Sequence, residues 1–125
     1  MSYDLLIRKD DMFSASVDAE VILSFFSDMP GINIFSDDFS EFKFLESDLR
    51  AEIYLEYVDS SGEVIDWKTS RNLVNSKQTV NAIRVCIPYA HMHNDNRDQV
   101  YFLLGKRIAE YLNWQLYDQQ TSQYL

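Results

Sequence analysis

A chain of 125 residues with 46% hydrophobic residues is the size of one domain and large enough to bury a core without metal or disulfide, and its single cysteine, Cys86, excludes an internal bridge. A net charge of −9 repels phosphate backbones, which argues against direct nucleic-acid binding. No run approaches the ~18 apolar residues needed to cross a bilayer, and Met1 to Lys9 shows no basic segment leading into an apolar stretch, so a cytoplasmic protein is expected, with no membrane partner.

The charge is uneven. Residues 1–66 hold sixteen Asp and Glu against four Lys and Arg, whereas residues 67–125 hold four against seven. Such a surface stays soluble and steers toward basic partners.

In chain order, Tyr3 to Arg8 alternates as a first strand, with Tyr3, Leu5 and Ile7 on one face. Ser16 is the expected N-cap of a helix whose Val17, Val21, Ile22, Phe25 and Met29 recur at helical spacing, and Pro30-Gly31 stops it. After the apolar segment from Ile32 to Phe35, a turn at Ser36-Asp37-Asp38 leads to a strand from Glu41 to Leu45. Glu52 to Val58 alternates, placing Ile53, Leu55 and Tyr57 inward and Glu52, Tyr54 and Glu56 outward. Asp59-Ser60-Ser61-Gly62 is turn chemistry leading to a hairpin partner at Val64, Ile65 and Trp67.

Lys68 to Thr79 is polar and aperiodic and reads as a loop, with a weak helical tendency at Arg71 to Asn75. Ala82 to Pro88 is a strongly apolar, central strand with Arg84 facing away from Ile83, Val85 and Ile87. Asn96 and Gln99 open a second helix with Val100, Leu104, Ile108, Tyr111 and Leu112 as its apolar stripe. Trp114 to Tyr117 is a last short strand, and Gln119 to Tyr124, too polar to assign, reads as frayed or draped on the surface.

The order β-α-β-β-β-β-α-β predicts a single α+β domain over residues 1–125. Its sheet is antiparallel or mixed with two helices on one face, like a ferredoxin-type split βαβ carrying an extra hairpin.

No constellation commits the chain to catalysis, so no enzyme activity and no cofactor are expected. His91-Met92-His93, with Asp95 and Asp98 nearby, is the one metal-like cluster, but its spacing matches no zinc signature. Cys86 lies between Val85 and Ile87, where a thiol behaves as a small hydrophobe with a raised pKa. Carboxylate pairs such as Asp10-Asp11 and Asp37-Asp38 read as solvated charge, and a Gly-rich phosphate loop is absent.

Eighteen aromatic rings stand out, several beside carboxylates. Large rings mostly pack cores, but Tyr54 between Glu52 and Glu56, and Phe39 after Asp37-Asp38, join a ring to an acidic rim, the chemistry of a partner-binding surface. Asp37, Asp38, Phe39, Glu52, Tyr54 and Glu56 are therefore the candidate partner-binding residues.

The compact acidic α+β build, the opening Tyr3-Asp4-Leu5-Leu6-Ile7 and the closing run from Arg107 to Asp118 resemble the small immunity proteins that bacteria encode beside secreted or contact-delivered toxins. The resemblance implies a chain that binds a cognate toxin domain in the cytosol and blocks its active site or an adjoining surface, with a basic nuclease as the natural target. It transfers no functional residue. Two other readings of the residues stay open: a small metal-dependent enzyme or metal-binding protein built on His91 and His93, and an acidic module that self-associates through an edge strand.

Overall fold

A computed structural model describes residues 2–35, 40–65, 79–92 and 95–125, and of residues 95–98 the backbone alone. The expected turn with Asp37, Asp38 and Phe39, the hairpin residue Trp67, the helical tendency at 71–75 and His93 lie outside the described residues.

Among the described residues the strands are β1 (Ser2–Arg8), β2 (Val17–Asp18), β3 (Ile32–Ile34), β4 (Glu41–Glu46), β5 (Leu49–Val58), β6 (Val64–Ile65), β7 (Thr79–Val80), β8 (Ala82–Pro88), β9 (Gln115–Asp118) and β10 (Gln123–Tyr124). The α-helices are α1 (Ala19–Ser27) and α2 (Asp95–Leu112). The main sheet runs β10-β9-β1-β8-β5-β4-β3, every neighbour antiparallel, with β6 pairing the end of β5 and a separate β2-β7 ribbon. Because β1 and β5 both run antiparallel to β8, they are parallel to each other, and such a pair needs a crossover; α1 lies in it. With α2 joining β8 to β9, the order β9-β1-β8-β5 is the expected split βαβ, and β4 and β3 extend it.

Period-two alternation decides the faces. Leu5 and Ile7 of β1, Ile53 and Leu55 of β5, and Ile83, Val85 and Ile87 of β8 point to one side, where they share a single core with Ile22 and Phe26 of α1 and Tyr101, Leu104 and Ile108 of α2. Both helices thus pack on the same face. They also meet each other, through Phe25 stacked on Tyr111 with ring centroids 4.0 Å apart. On the other face a smaller cluster of Leu6, Val58 and Ala82 lies under Phe13 and Tyr117.

Several details depart from the sequence reading. The first helix starts later: Val17 pairs with Val80, and Asp18, with extended backbone (φ −67, ψ 140), is the N-cap in place of Ser16. That shift turns Ala19, Ile22 and Phe26 inward and leaves Val21 exposed. Thr79 is in β7, not in a loop. The strand at Glu52 begins at Leu49, because Leu49 and Ala51 continue the buried alternation. The C-terminal stretch is not frayed: the buried Asp118 carboxylate accepts the Gln120 and Thr121 amides at 3.0 and 3.4 Å, turning the chain so that β10 pairs with β9.

Helix α1 and β3 are joined where Gly31 takes φ +88, a conformation that costs other residues. A Cβ there would also lie 2.7 Å from the Leu45 carbonyl oxygen.

Candidate functional site

The sheet face turned away from the helices carries rows of facing side chains. One row runs Asp4, Cys86, Glu52, Lys43 and Asn33 across β1, β8, β5, β4 and β3. The next runs Tyr117, Leu6, Arg84, Tyr54 and Glu41. Glu52, Tyr54 and Glu56 therefore lie together on the outer face of β5, as their alternation predicts, while Asp37, Asp38 and Phe39 lie outside the described residues.

Their charges, however, are already matched. Lys43 Nζ stands 3.2 Å from Glu52 Oε1, and the Tyr54 hydroxyl donates to the other carboxylate oxygen. The Tyr54 hydrogen bond first, and Lys43 second, hold the Glu52 carboxyl below the usual range. Burial and then the Glu52 carboxylate push the Tyr54 phenol well above its ordinary value. Glu56 accepts from Arg84 Nε at 3.3 Å on both oxygens, and Arg84 Nη1 reaches Asp4 at 3.8 Å and donates to Gln119 Oε1 at 3.0 Å. A half-buried ladder of this kind organises the face, and its acids offer a partner little unmatched charge.

Cys86 is not sealed in the core. It faces this polar side, half-buried between Asp4 and Glu52, with its thiol pushed up to about 12 by burial and then by Asp4. The direction agrees with a thiol that is inert as a nucleophile.

Beside the ladder lies an open groove of about 730 Å³, lined by Phe35, Leu45, Tyr54 and Pro88 and by the charged Lys43, Arg50 and Glu52. Phe35 (58% exposed) and Leu45 (44% exposed) form its apolar rim, and Lys43 Nζ sits 4.4 Å above the Phe35 ring. At the Leu45 end the chain enters the β4–β5 turn, where Glu46, on the helix side of the sheet, and Asp48 are exposed. At the other end of the sheet, the Arg8 guanidinium is held over Tyr117 (4.6 Å), Phe13 (5.0 Å) and Tyr124 (5.8 Å), closing the second hydrophobic cluster.

Sequence reasoning missed Lys43, Leu45, Arg50 and Phe35 at this site. Arg84 alone left a signal, as the one charged residue in an apolar strand; the others need strand register, since β4–β5 pairs Lys43 with Glu52 and Leu45 with Arg50 and β3–β4 brings Phe35 beside Lys43.

The remaining candidates resolve into structural roles. Asp10 accepts from the Met12 and Ser14 amides at 3.0 and 3.1 Å and from the Ser14 hydroxyl, and Asp59 accepts from the Ser61 and Glu63 amides at 2.9 and 3.0 Å. Each carboxyl is lowered, chiefly by its serine hydroxyl, Ser14 or Ser61, as expected of turn-forming aspartates. His91 Nδ1 lies 3.2 Å from the Tyr101 hydroxyl and 3.3 Å from the Arg50 amide, an inward-facing position. Among the described residues no group of three or more His, Cys, Asp and Glu could hold a metal ion, and no helix is long and apolar enough to cross a membrane.

Comparison with protein families, with curated proteins and with solved structures finds no match to this chain.

Proposed function

We propose that this chain is a cytosolic binding protein of the immunity type, which neutralises a cognate toxin domain by covering a basic surface on it, a nuclease being the best-suited target. The observation that carries this reading is the pair of exposed apolar residues on the β3–β4 edge of the sheet, Phe35 beside the start of β4 and Leu45 at its end, in a segment, residues 1–66, that holds sixteen Asp and Glu against four Lys and Arg. Apolar anchors beside acids are the chemistry of an interface that is steered by charge and held by desolvated side chains. The paired Glu52 and Glu56 then act as a rigid backing, and steering comes from the summed charge of −9.

The test is co-purification from the native cytosol, and with the product of the adjacent gene, at moderate salt. A stoichiometric partner whose toxic activity this chain suppresses supports the reading; Glu46→Lys with Asp48→Lys then slows association and reduces its salt dependence. A chain that stays alone, or a partner that binds the double variant with unchanged kinetics, counts against it.

A further inference from the structure

The groove runs against the charge of the segment that builds it. Two of the four bases in residues 1–66, Lys43 and Arg50, line it, against one of the thirteen described acids of that segment, Glu52. Glu52 is matched by Lys43 at 3.2 Å, and Asp4, further along the same row, has Arg84 at 3.8 Å. Among the described residues the Arg50 guanidinium enters no ion pair, so the described lining carries one positive charge that its own acid does not match. Its backbone is fixed from the core side, because the Tyr101 hydroxyl accepts the Arg50 N–H and donates to the Arg50 carbonyl, both at 3.1 Å. The apolar walls and the volume of about 730 Å³ suit a small molecule, since such sites span roughly 300–1,000 Å³.

We propose that this groove binds a small amphipathic monocarboxylate, with its carboxylate paired to Arg50 and its acyl or aryl body against Phe35 and Leu45. A guanidinium offers a carboxylate two parallel N–H donors, and a fixed backbone lowers the entropy lost on binding. The single net positive charge of the described lining matches a monoanion, whereas a dianionic phosphate would face Glu52 and an ammonium head would face Lys43 and Arg50. The inference needs no protein partner, so it stands or falls separately from the toxin reading.

The test is calorimetric titration of the full chain with dodecanoate, dodecyl phosphate and dodecyltrimethylammonium below their micellar concentrations, three heads on one tail. Dodecanoate is expected to bind saturably at one per chain and more tightly than either of the others. Arg50→Ala should weaken it by about tenfold or more, the worth of a charge-assisted hydrogen bond, with Arg50→Lys between the two. Leu45→Asp, at an exposed position that leaves the core untouched, should weaken it as well. No saturable binding of dodecanoate, equal binding of the three heads, tighter binding of the phosphate, or an Arg50→Ala variant with unchanged affinity would each overturn the proposal.

Discussion

The hydroxyl of Tyr101, a fully buried residue of α2, is hydrogen-bonded to both backbone polar groups of Arg50 on β5, each at 3.1 Å. A helix side chain here completes what a strand neighbour would otherwise supply at the start of β5, and it fixes the backbone under the groove. Tyr101→Phe keeps the ring in the core but strands the Arg50 carbonyl and leaves its N–H only the longer contact to His91, at 3.3 Å. Leaving a buried group unsatisfied costs about 1–3 kcal/mol. Urea denaturation should show a loss in that range with an unchanged m-value.

Asn81 is a second such substitution of side chain for strand. It lies between β7 and β8, 4% exposed, with Oδ1 accepting the Val58 amide at 2.7 Å and Nδ2 donating to the Val58 carbonyl at 2.8 Å. Its own amide donates to Glu56 at 3.1 Å. Asn81→Leu fits the neighbouring cluster of Leu6, Val58 and Ala82 in polarity but leaves both Val58 groups without partners. The expected loss is about 2–6 kcal/mol, from roughly 1–3 kcal/mol for each group. Hydrogen exchange should show the Val58 amide losing its protection in a variant that still folds.

How much of this was legible in the sequence follows from where each signal resides. Alternation within one strand is local, so the inward Ile83, Val85 and Ile87 and the outward Glu52, Tyr54 and Glu56 could be read directly. From the order of elements, the split βαβ with its added hairpin could be expected, because antiparallel neighbours around two helices admit few arrangements. The partners of those outward residues could not. Lys43 meets Glu52 and Arg84 meets Glu56 only through strand register, which no single strand reveals. Taken alone, Glu52 and Glu56 read as an acidic surface; paired, they are largely neutralised. Gln119 to Tyr124 misled for a different reason: its order comes from backbone bonds to Asp118 and from Tyr124 beside Arg8, neither of which has a hydrophobic pattern.

The pair of Tyr54 and Glu52 makes a pH prediction. The carboxyl of Glu52 is depressed below its ordinary value of 4.5 in the folded protein, chiefly by the Tyr54 hydroxyl. A depressed carboxyl contributes stability above its unfolded pKa and loses it as pH falls through the folded one. Tyr54→Phe removes the larger cause and leaves Lys43, so the Glu52 titration should move up toward 4.5, as followed by NMR of its side-chain carboxyl carbon. The stability loss on acidification should shrink accordingly. An unmoved titration would assign the depression to Lys43 instead.

Cys86 gives the opposite sign. Burial, followed by the Asp4 carboxylate, raises its thiol from 9.0 to about 12, so the native state holds the proton more tightly than the unfolded chain. That preference supports the fold below pH 9.0 and is lost as pH climbs toward 12, so stability should decline across this window and Cys86→Ala should flatten part of the decline. Reactivity follows the same shift, since only the thiolate attacks an alkylating reagent. At pH 8 the native thiol should hold on the order of a thousandfold less thiolate than the unfolded one. Iodoacetamide should therefore label Cys86 slowly in the native protein and rapidly in urea. Replacing Asp4 by Asn removes the second cause while burial persists, so native labelling should speed up without reaching the unfolded rate. Labelling as fast in the native protein as in urea would mean that Cys86 is open to solvent, and the half-buried ladder around it would have to be redrawn.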